Sequence, residues 1–205
     1  MTVVTTRRER KKFAARTRVL STAIELFSKH GIDSVTIDQI AAAADVGKGT
    51  IYNYFATKED IVVAFMADLE RRLADSVAAF TPGEQPVDHV LAEYVLLHFR
   101  LKEPYHAFVR VFLAQMFTRT ANLFPYLVEM QKYTDPPLQV LFESLRRRDL
   151  LRPDIDLPAL IQSFKTMHLG LTALWAIEGP PFQGTIATVR HQMRLFTHGI
   201  LRNAR

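Results

Sequence analysis

Cysteine is absent from the 205 residues, so disulfides, thiolate zinc sites and cysteine nucleophiles are excluded together, and the redox compartment is left open. Glycine is sparse, and none of it forms a phosphate-cradling loop. No nucleophile elbow and no paired-carboxylate setting suggests hydrolytic chemistry. No apolar run approaches the ~20 residues that cross a bilayer, and no apolar leader follows Met1. Strand-like alternation and repeat periods are missing as well. These absences lead us to expect an all-α, cytoplasmic chain that is not an enzyme and touches no membrane. No catalytic residue, metal or cofactor is expected.

What is present is apolar and basic. Hydrophobic residues make up 48% of the chain, enough for one medium domain or for a small domain attached to a larger one. The net charge is +5, and its placement matters more than its size. Between Met1 and His30, Arg7, Arg8, Arg10, Lys11, Lys12, Arg16, Arg18 and Lys29 face only Glu9 and Glu25. The excess positive charge therefore lies at the N-terminal end, where it can follow phosphates.

After a polar start, disordered to about Thr6, a helix is expected from about Arg8. Its apolar stripe is Phe13, Leu20, Ala23, Ile24 and Phe27, and Gly31 ends it. Arg16 and Arg18 are ordinarily a solvated face, but here they are candidate backbone contacts. Thr36 followed by Gln39 forms a capping box that opens a short helix with Ile40, Ala41 and Ala44 inward. Asp45-Val46-Gly47 should break it, because Asp tolerates the left-handed conformation and Gly47 can cap the next helix. In that second helix Ile51 and Phe55 point inward while Gly49, Thr50 and Asn53 point outward, with Tyr52 and Tyr54 on the flanks. Helix, tight break, helix is a helix-turn-helix, and its small, hydroxylic and amide-bearing outer face suits a major groove. Lys48 and Lys58 each stand in the first turn of a helix, where a cation is unfavourable unless an anion arrives, so they are expected to hold phosphate. The bland alternative, two solvated lysines, is even odds for either one alone.

A long helix should run from Thr57 to Phe80 as the only continuous link to the remainder of the chain, ending at the linker Thr81-Pro82-Gly83-Glu84-Gln85-Pro86. Beyond the linker, helices are expected over Val87 to Arg100, Pro104 to about Thr118, and from Pro125 through Leu145 with a kink or interruption at Pro136-Pro137. Asp156 should cap the next, which Gly179-Pro180-Pro181 stops, and the last covers Thr185 to about Leu201. The total is about nine helices. Residues 1–56 form an arm and helix-turn-helix domain, and 57–205 form a helical body with 57–80 as the connecting helix.

The residues Ala23, Phe27, Gly31, Thr36, Ile40-Ala41, Ala44, Val46, Gly49-Thr50, Tyr52, Phe55 and Lys58-Glu59 stand at spacings that resemble the tetracycline-repressor (TetR) family of transcription regulators. Leu150 to Asp156 resembles the family's lead-in to its penultimate helix. The resemblance implies a homodimer, joined through the last two helices, that binds a near-palindromic double-stranded DNA operator. It also implies a small-molecule effector in the body that releases the DNA, with repression as the usual outcome. By motif position Thr36, Thr50, Tyr54 and Lys58 would contact the DNA backbone, and Lys48, Gly49, Tyr52 and Asn53 would face bases. Asp45 replaces a common turn glycine, Gly47 replaces a serine, and Asp38 stands where some members carry a base-reading arginine.

Aromatic residues are dense between Val87 and Trp175, including Phe117, Phe124 and Tyr126. Candidate pocket residues are Tyr94, Phe99, Phe108, Phe112, Phe142, Phe164, His168 and Trp175, although ordinary core packing is the commoner fate of each. They point to an apolar or aromatic effector. His98, His106 and His168 are candidate polar handles, and no two histidines have the i, i+4 spacing of a helical metal site. The alternative function is a helical small-molecule or lipid-binding protein that does not bind an operator.

Overall fold

The computed structural model describes residues 6–78, 85–116 and 124–201. Phe80, linker residues 81–84 and Phe117, with the side chains of Val77, Phe124 and Tyr126, lie outside the described set. Among the described residues there are nine α-helices and no strand: α1 (Arg7–His30), α2 (Ile37–Ala43), α3 (Lys48–Tyr52), α4 (Lys58–Ala78), α5 (Val87–Lys102), α6 (His106–Met116), α7 (Phe124–Arg147), α8 (Leu157–Glu178) and α9 (Gln183–Ile200). A 3-10 turn, Glu103–Tyr105, joins α5 to α6 and contains Pro104. The chain divides into two compact units, Met1–Asp68 with Ala107–Leu123, and Leu69–His106 with Phe124–Arg205. It passes between them within α4, at the start of α6 and again before α7, so α4 is not the only link.

In the first unit α1 starts a residue earlier than expected, because Thr6 and Glu9 form a reciprocal capping box. Gly31, at φ 81°, ends the helix and returns its N–H to the Phe27 carbonyl at 2.9 Å. Val19, Leu20, Ala23, Ile24 and Phe27 are buried, but Phe13 is 70% exposed and does not continue the stripe. Among the described residues none buries the Phe13 ring. Instead the Lys12 ammonium lies 5.8 Å from the Tyr54 ring centroid and the Arg16 guanidinium 5.5 Å from that of Phe55. α2 is capped by Thr36 and Gln39 as its sequence requires. Asp45 takes the left-handed conformation at φ 49°, and the Val46 N–H closes on the Ala41 carbonyl at 3.1 Å. Thr57 and Asp60 form a further capping box at α4. Phe65 of α4 meets Phe108 of α6 edge-on at 5.2 Å.

In the second unit α5 packs on α8 and α9, and α7 packs on α8. Asp156 caps α8 by accepting the Ala159 N–H at 3.0 Å, and Gly179, at φ 72°, ends it. Glu178 then folds over the start of α9, accepting the N–H groups of Gly184 and Thr185 and the Thr185 hydroxyl. α7 is continuous through Pro136 and Pro137, so the expected interruption is absent. Two N–H donors are lost there. The segment is held from both sides, by buried Leu138, Leu141, Phe142 and Leu145 and by an ion pair from Asp135 to Lys165 at 2.5 Å.

Candidate nucleic-acid interface

Helix α3 is only five residues long, and its orientation is set by what it buries. Ile51 is fully buried and Phe55 nearly so, which turns Gly49, Tyr52 and Asn53 to solvent and leaves Thr50 half-buried. Tyr52 is 51% exposed, a large ring with no covering element. Gly49 is informative for what it lacks. A Cβ built there meets no atom within 4 Å, so the protein's own packing does not require glycine. Glycine inside a helix costs up to about 1 kcal/mol relative to alanine. Packing among the described residues gives no reason for its smallness.

The two lysines behave differently from the expectation. Lys48 is not waiting for an external anion: its ammonium lies 2.8 Å and 3.0 Å from the two carboxylate oxygens of Asp38, in the first turn of α2. The hydrogen bond and charge of Asp38 hold the Lys48 pKa above its ordinary value. Both partners are exposed, so the pair can open to a competing phosphate. Lys58 is more firmly committed. Its Nζ donates to the carbonyl oxygens of Ile32 and Asp33, each at 2.9 Å, and reaches that of Val35 at 3.5 Å. It thereby ties the start of α4 to the turn that leads into Thr36. The Thr36 side chain accepts the Gln39 N–H, and the Tyr54 hydroxyl donates to the Lys12 carbonyl at 3.2 Å.

The structure thus gathers Gly49, Tyr52 and Asn53 on one outward face with the Lys48–Asp38 pair at its edge, while Tyr54, Lys58 and Thr36 are engaged within the fold. Sequence reading misses the Asp38–Lys48 and Lys12–Tyr54 contacts. Partners 10 and 42 residues apart leave no mark on helical periodicity.

The proposed pocket residues divide between the units. Phe108 and Phe112 belong to the first, with ring centroids 6.3 Å apart. The other six belong to the second, where Phe142 meets Phe164, Phe164 meets Tyr94, and Tyr94 leads through His98 to His168. Phe99 stacks on His168 and on Trp175. All the aromatic members are 4% exposed or less, as core residues are. A separate cleft of about 310 Å³ is lined by Gln85, Asp88, His89, Ala92, Glu93, Arg190 and Arg194, and it is charged rather than aromatic. Among the described residues no cluster of three metal-ligating side chains is found, and no helix is long and apolar enough to cross a membrane.

Comparison with known proteins agrees with this geometry. Residues 19–65 match the family profile described as bacterial regulatory proteins, tetR family. The HTH-type transcriptional regulator TcmR of Streptomyces glaucescens is 29% identical over 80 residues, covering 39% of this chain and 35% of that protein. The match thus spans about a third of that relative. The fatty acid degradation regulator FadR from Bacillus halodurans superposes with a TM-score of 0.76 at 20% identity, over 90% of this chain and 95% of that one. The transcriptional regulator FadR from Bacillus subtilis, solved in complex with stearoyl-CoA, does so at 0.70 and 20% identity, over 90% and 98%. At that identity the likeness is one of fold.

Proposed function

Because this chain belongs to the TetR family of bacterial transcription regulators, we propose that it is a cytoplasmic, homodimeric repressor that binds a near-palindromic operator and leaves it when a small apolar or aromatic effector binds. The observation that carries the proposal is the outward face of α3. It presents Gly49, Tyr52 and Asn53 to solvent, beside the basic first half of α1. In a major groove an asparagine bonds the edge of adenine and an aromatic ring lies against a thymine methyl. Lys48, released from Asp38, takes a phosphate, while Thr50 and Tyr54 flank the backbone. Thr36 and Lys58 fix the turn that presents them and are the remaining backbone contacts. Residues 1–56 are the reading part and 57–205 the effector and dimer part, with 57–80 as the connecting helix.

The dimer face is assigned to α8 and α9. Leu169, Leu174 and Ile177 of α8 and Leu195 of α9 are exposed, Ile177 to 77%. Gly170 and Gly199 lie in the same two helices with open space where a Cβ would stand, which allows close approach of a second copy. Two such helix pairs make an isologous four-helix bundle. Its reading helices must lie about one DNA turn apart, ~34 Å. An effector in the helical body changes that spacing through α4 and α6, each of which belongs to both units. The Bacillus subtilis regulator of this fold, solved in complex with stearoyl-CoA, supports a ligand-responsive reading.

The test is binding of the purified protein to the DNA upstream of its own reading frame at low and high salt, with Asn53→Ala alongside. Saturable binding to a near-palindrome, weakened by salt and by the substitution, is expected. Affinity no better than for random DNA, both there and in a genome-wide selection, would instead leave the ligand-carrier alternative.

A further inference from the structure

The second unit buries polar groups that an ordinary core would exclude. Lys102 and Glu70 form an ion pair at 2.9 Å with side chains only 6% and 2% exposed. His98 and His168 adjoin it, their ring centroids 5.0 Å apart. Tyr94 and Phe99 pack on these imidazoles, at 4.6 Å from His98 and 6.1 Å from His168. Burying charged and polar groups is costly unless every one of them is well satisfied, and these are not. Despite its short distance to Lys102, Glu70 Oε1 has no directed hydrogen bond, and the buried His168 Nε2 has no partner, among the described residues. Native proteins leave few such atoms, and each exception calls for a reason.

We infer that this cluster seats the polar end of the effector, and that this end is an uncharged hydroxyl on an apolar or aromatic body, an alcohol or a phenol. Charge balance selects the class. Lys102 and Glu70 already cancel, and burial together with the Lys102 charge keeps both imidazoles neutral, His98 at a pKa of about 4. A carboxylate or an ammonium would bring in one more buried charge without a counter-ion. A hydroxyl adds none. It can donate to a carboxylate oxygen such as Glu70 Oε1, which only accepts, and it can bond an imidazole nitrogen in either tautomer. The neighbouring rings of Phe99 and Tyr94 suit the rest of the molecule.

This inference rests on the effector-controlled reading above, and the experiment separates the two. The single tryptophan, Trp175, stacks on Phe99 at 5.5 Å, so its fluorescence reports occupancy. We would titrate the full-length protein with cyclohexylmethanol, benzyl alcohol and 1-decanol, each against the carboxylic acid and the primary amine of the same carbon skeleton. Non-fluorescent probes would be read by Trp175 and the benzyl series by calorimetry, and operator release would be followed in parallel. At least one alcohol should bind about tenfold more tightly than its acid and amine, and His168→Phe, which keeps the ring, should remove about that factor. Glu70→Gln, which keeps the shape, should weaken the same alcohol. Equal affinity across every matched trio, tighter binding of acids or amines, no binding by any probe, or an alcohol preference that survives both substitutions would each overturn the inference. If operator binding were retained and a compound of another class released it, the regulator reading would stand without this one. Failure to bind an operator at all would remove the regulator reading alone.

Discussion

Acid should unfold this protein earlier than its carboxylates require, and His98 supplies a measurable share of the effect. The ring is buried, with Nδ1 donating to the Tyr94 carbonyl at 3.0 Å. Burial, with Lys102 in support, pushes its pKa down from 6.5 to about 4, against a smaller opposing pull from Glu70. In the unfolded chain the ring takes a proton as pH falls through its ordinary value, whereas in the fold it stays neutral until far lower. Stability is therefore complete above pH ~6.5 and declines from there down to pH ~4, costing about 2 kcal/mol by pH ~5 and about 3 kcal/mol in all. His168 is displaced in the same direction, chiefly by burial, and adds to the decline. The assay is denaturant unfolding near pH 7 and near pH 5 at one protein concentration, comparing the wild type with His98→Phe. The variant keeps the aromatic contact and cannot protonate, so the difference between the two pH values should shrink by about 2 kcal/mol. An unchanged pH difference would show that His98 is not held neutral by the fold and would refute the electrostatic account of the cluster.

The first unit and the proposed dimer face offer three further tests. Lys58→Met should lower the melting temperature of the DNA-free protein, because carbonyls at residues 32 and 33 lose a charged donor, a loss of about 1.5–3 kcal/mol; an unchanged melt with weakened DNA binding would make Lys58 a phosphate contact alone. Asp38→Asn should free Lys48, so DNA affinity at low salt rises and the slope of log affinity against log salt steepens by up to about one phosphate's worth; an unaltered slope would count against Lys48 at the backbone. Ile177→Glu on exposed α8 should shift the protein toward monomer in sedimentation without loss of helical signal, whereas an unchanged mass would move the interface elsewhere.

Helix ends are the most legible part of the sequence, since each is written in a few adjacent residues. Thr36 with Gln39, Asp45, Gly31, Asp156 and Gly179 all do what their chemistry demands. Pro136 and Pro137 show the limit of local rules. Their missing donors argue for a break, but buried leucines and the Asp135–Lys165 pair, invisible in the local pattern, carry the helix through. Phe13 shows the converse: it lies in phase with a buried stripe, yet its ring stays exposed, and Tyr54, which reaches that turn of α1, meets Lys12 instead. Within the candidate site, Gly49 and Asn53 turn outward as the periodicity of Ile51 and Phe55 predicts, whereas Thr50, expected beside them, is half-buried and Tyr52, expected on a flank, joins the outward face. The fates of Lys48 and Lys58 are not readable, because the groups they bind stand 10 residues away in one case and 25 and 26 in the other. The aromatic residues pose a different problem. A ring that lines a cavity and a ring that fills one share the same spacing, and only the packing places Phe108 and Phe112 apart from the other six.

That separation bears on how such proteins can be recombined. Helix α6 starts at His106, far along the chain from the end of the reading helix at Tyr52, yet it completes the same unit, with Phe108 standing edge-on to Phe65. The DNA-reading sequence and the body that supports it are therefore not the same contiguous stretch. A graft that moved residues 1–68 into another protein of this fold would carry Phe65 but leave behind Phe108, the ring against which it rests. Exchange of that stretch then depends on whether the recipient's sixth helix offers a surface that matches Phe65. Substitutions at Phe65 and Phe108 should accordingly be accepted as pairs.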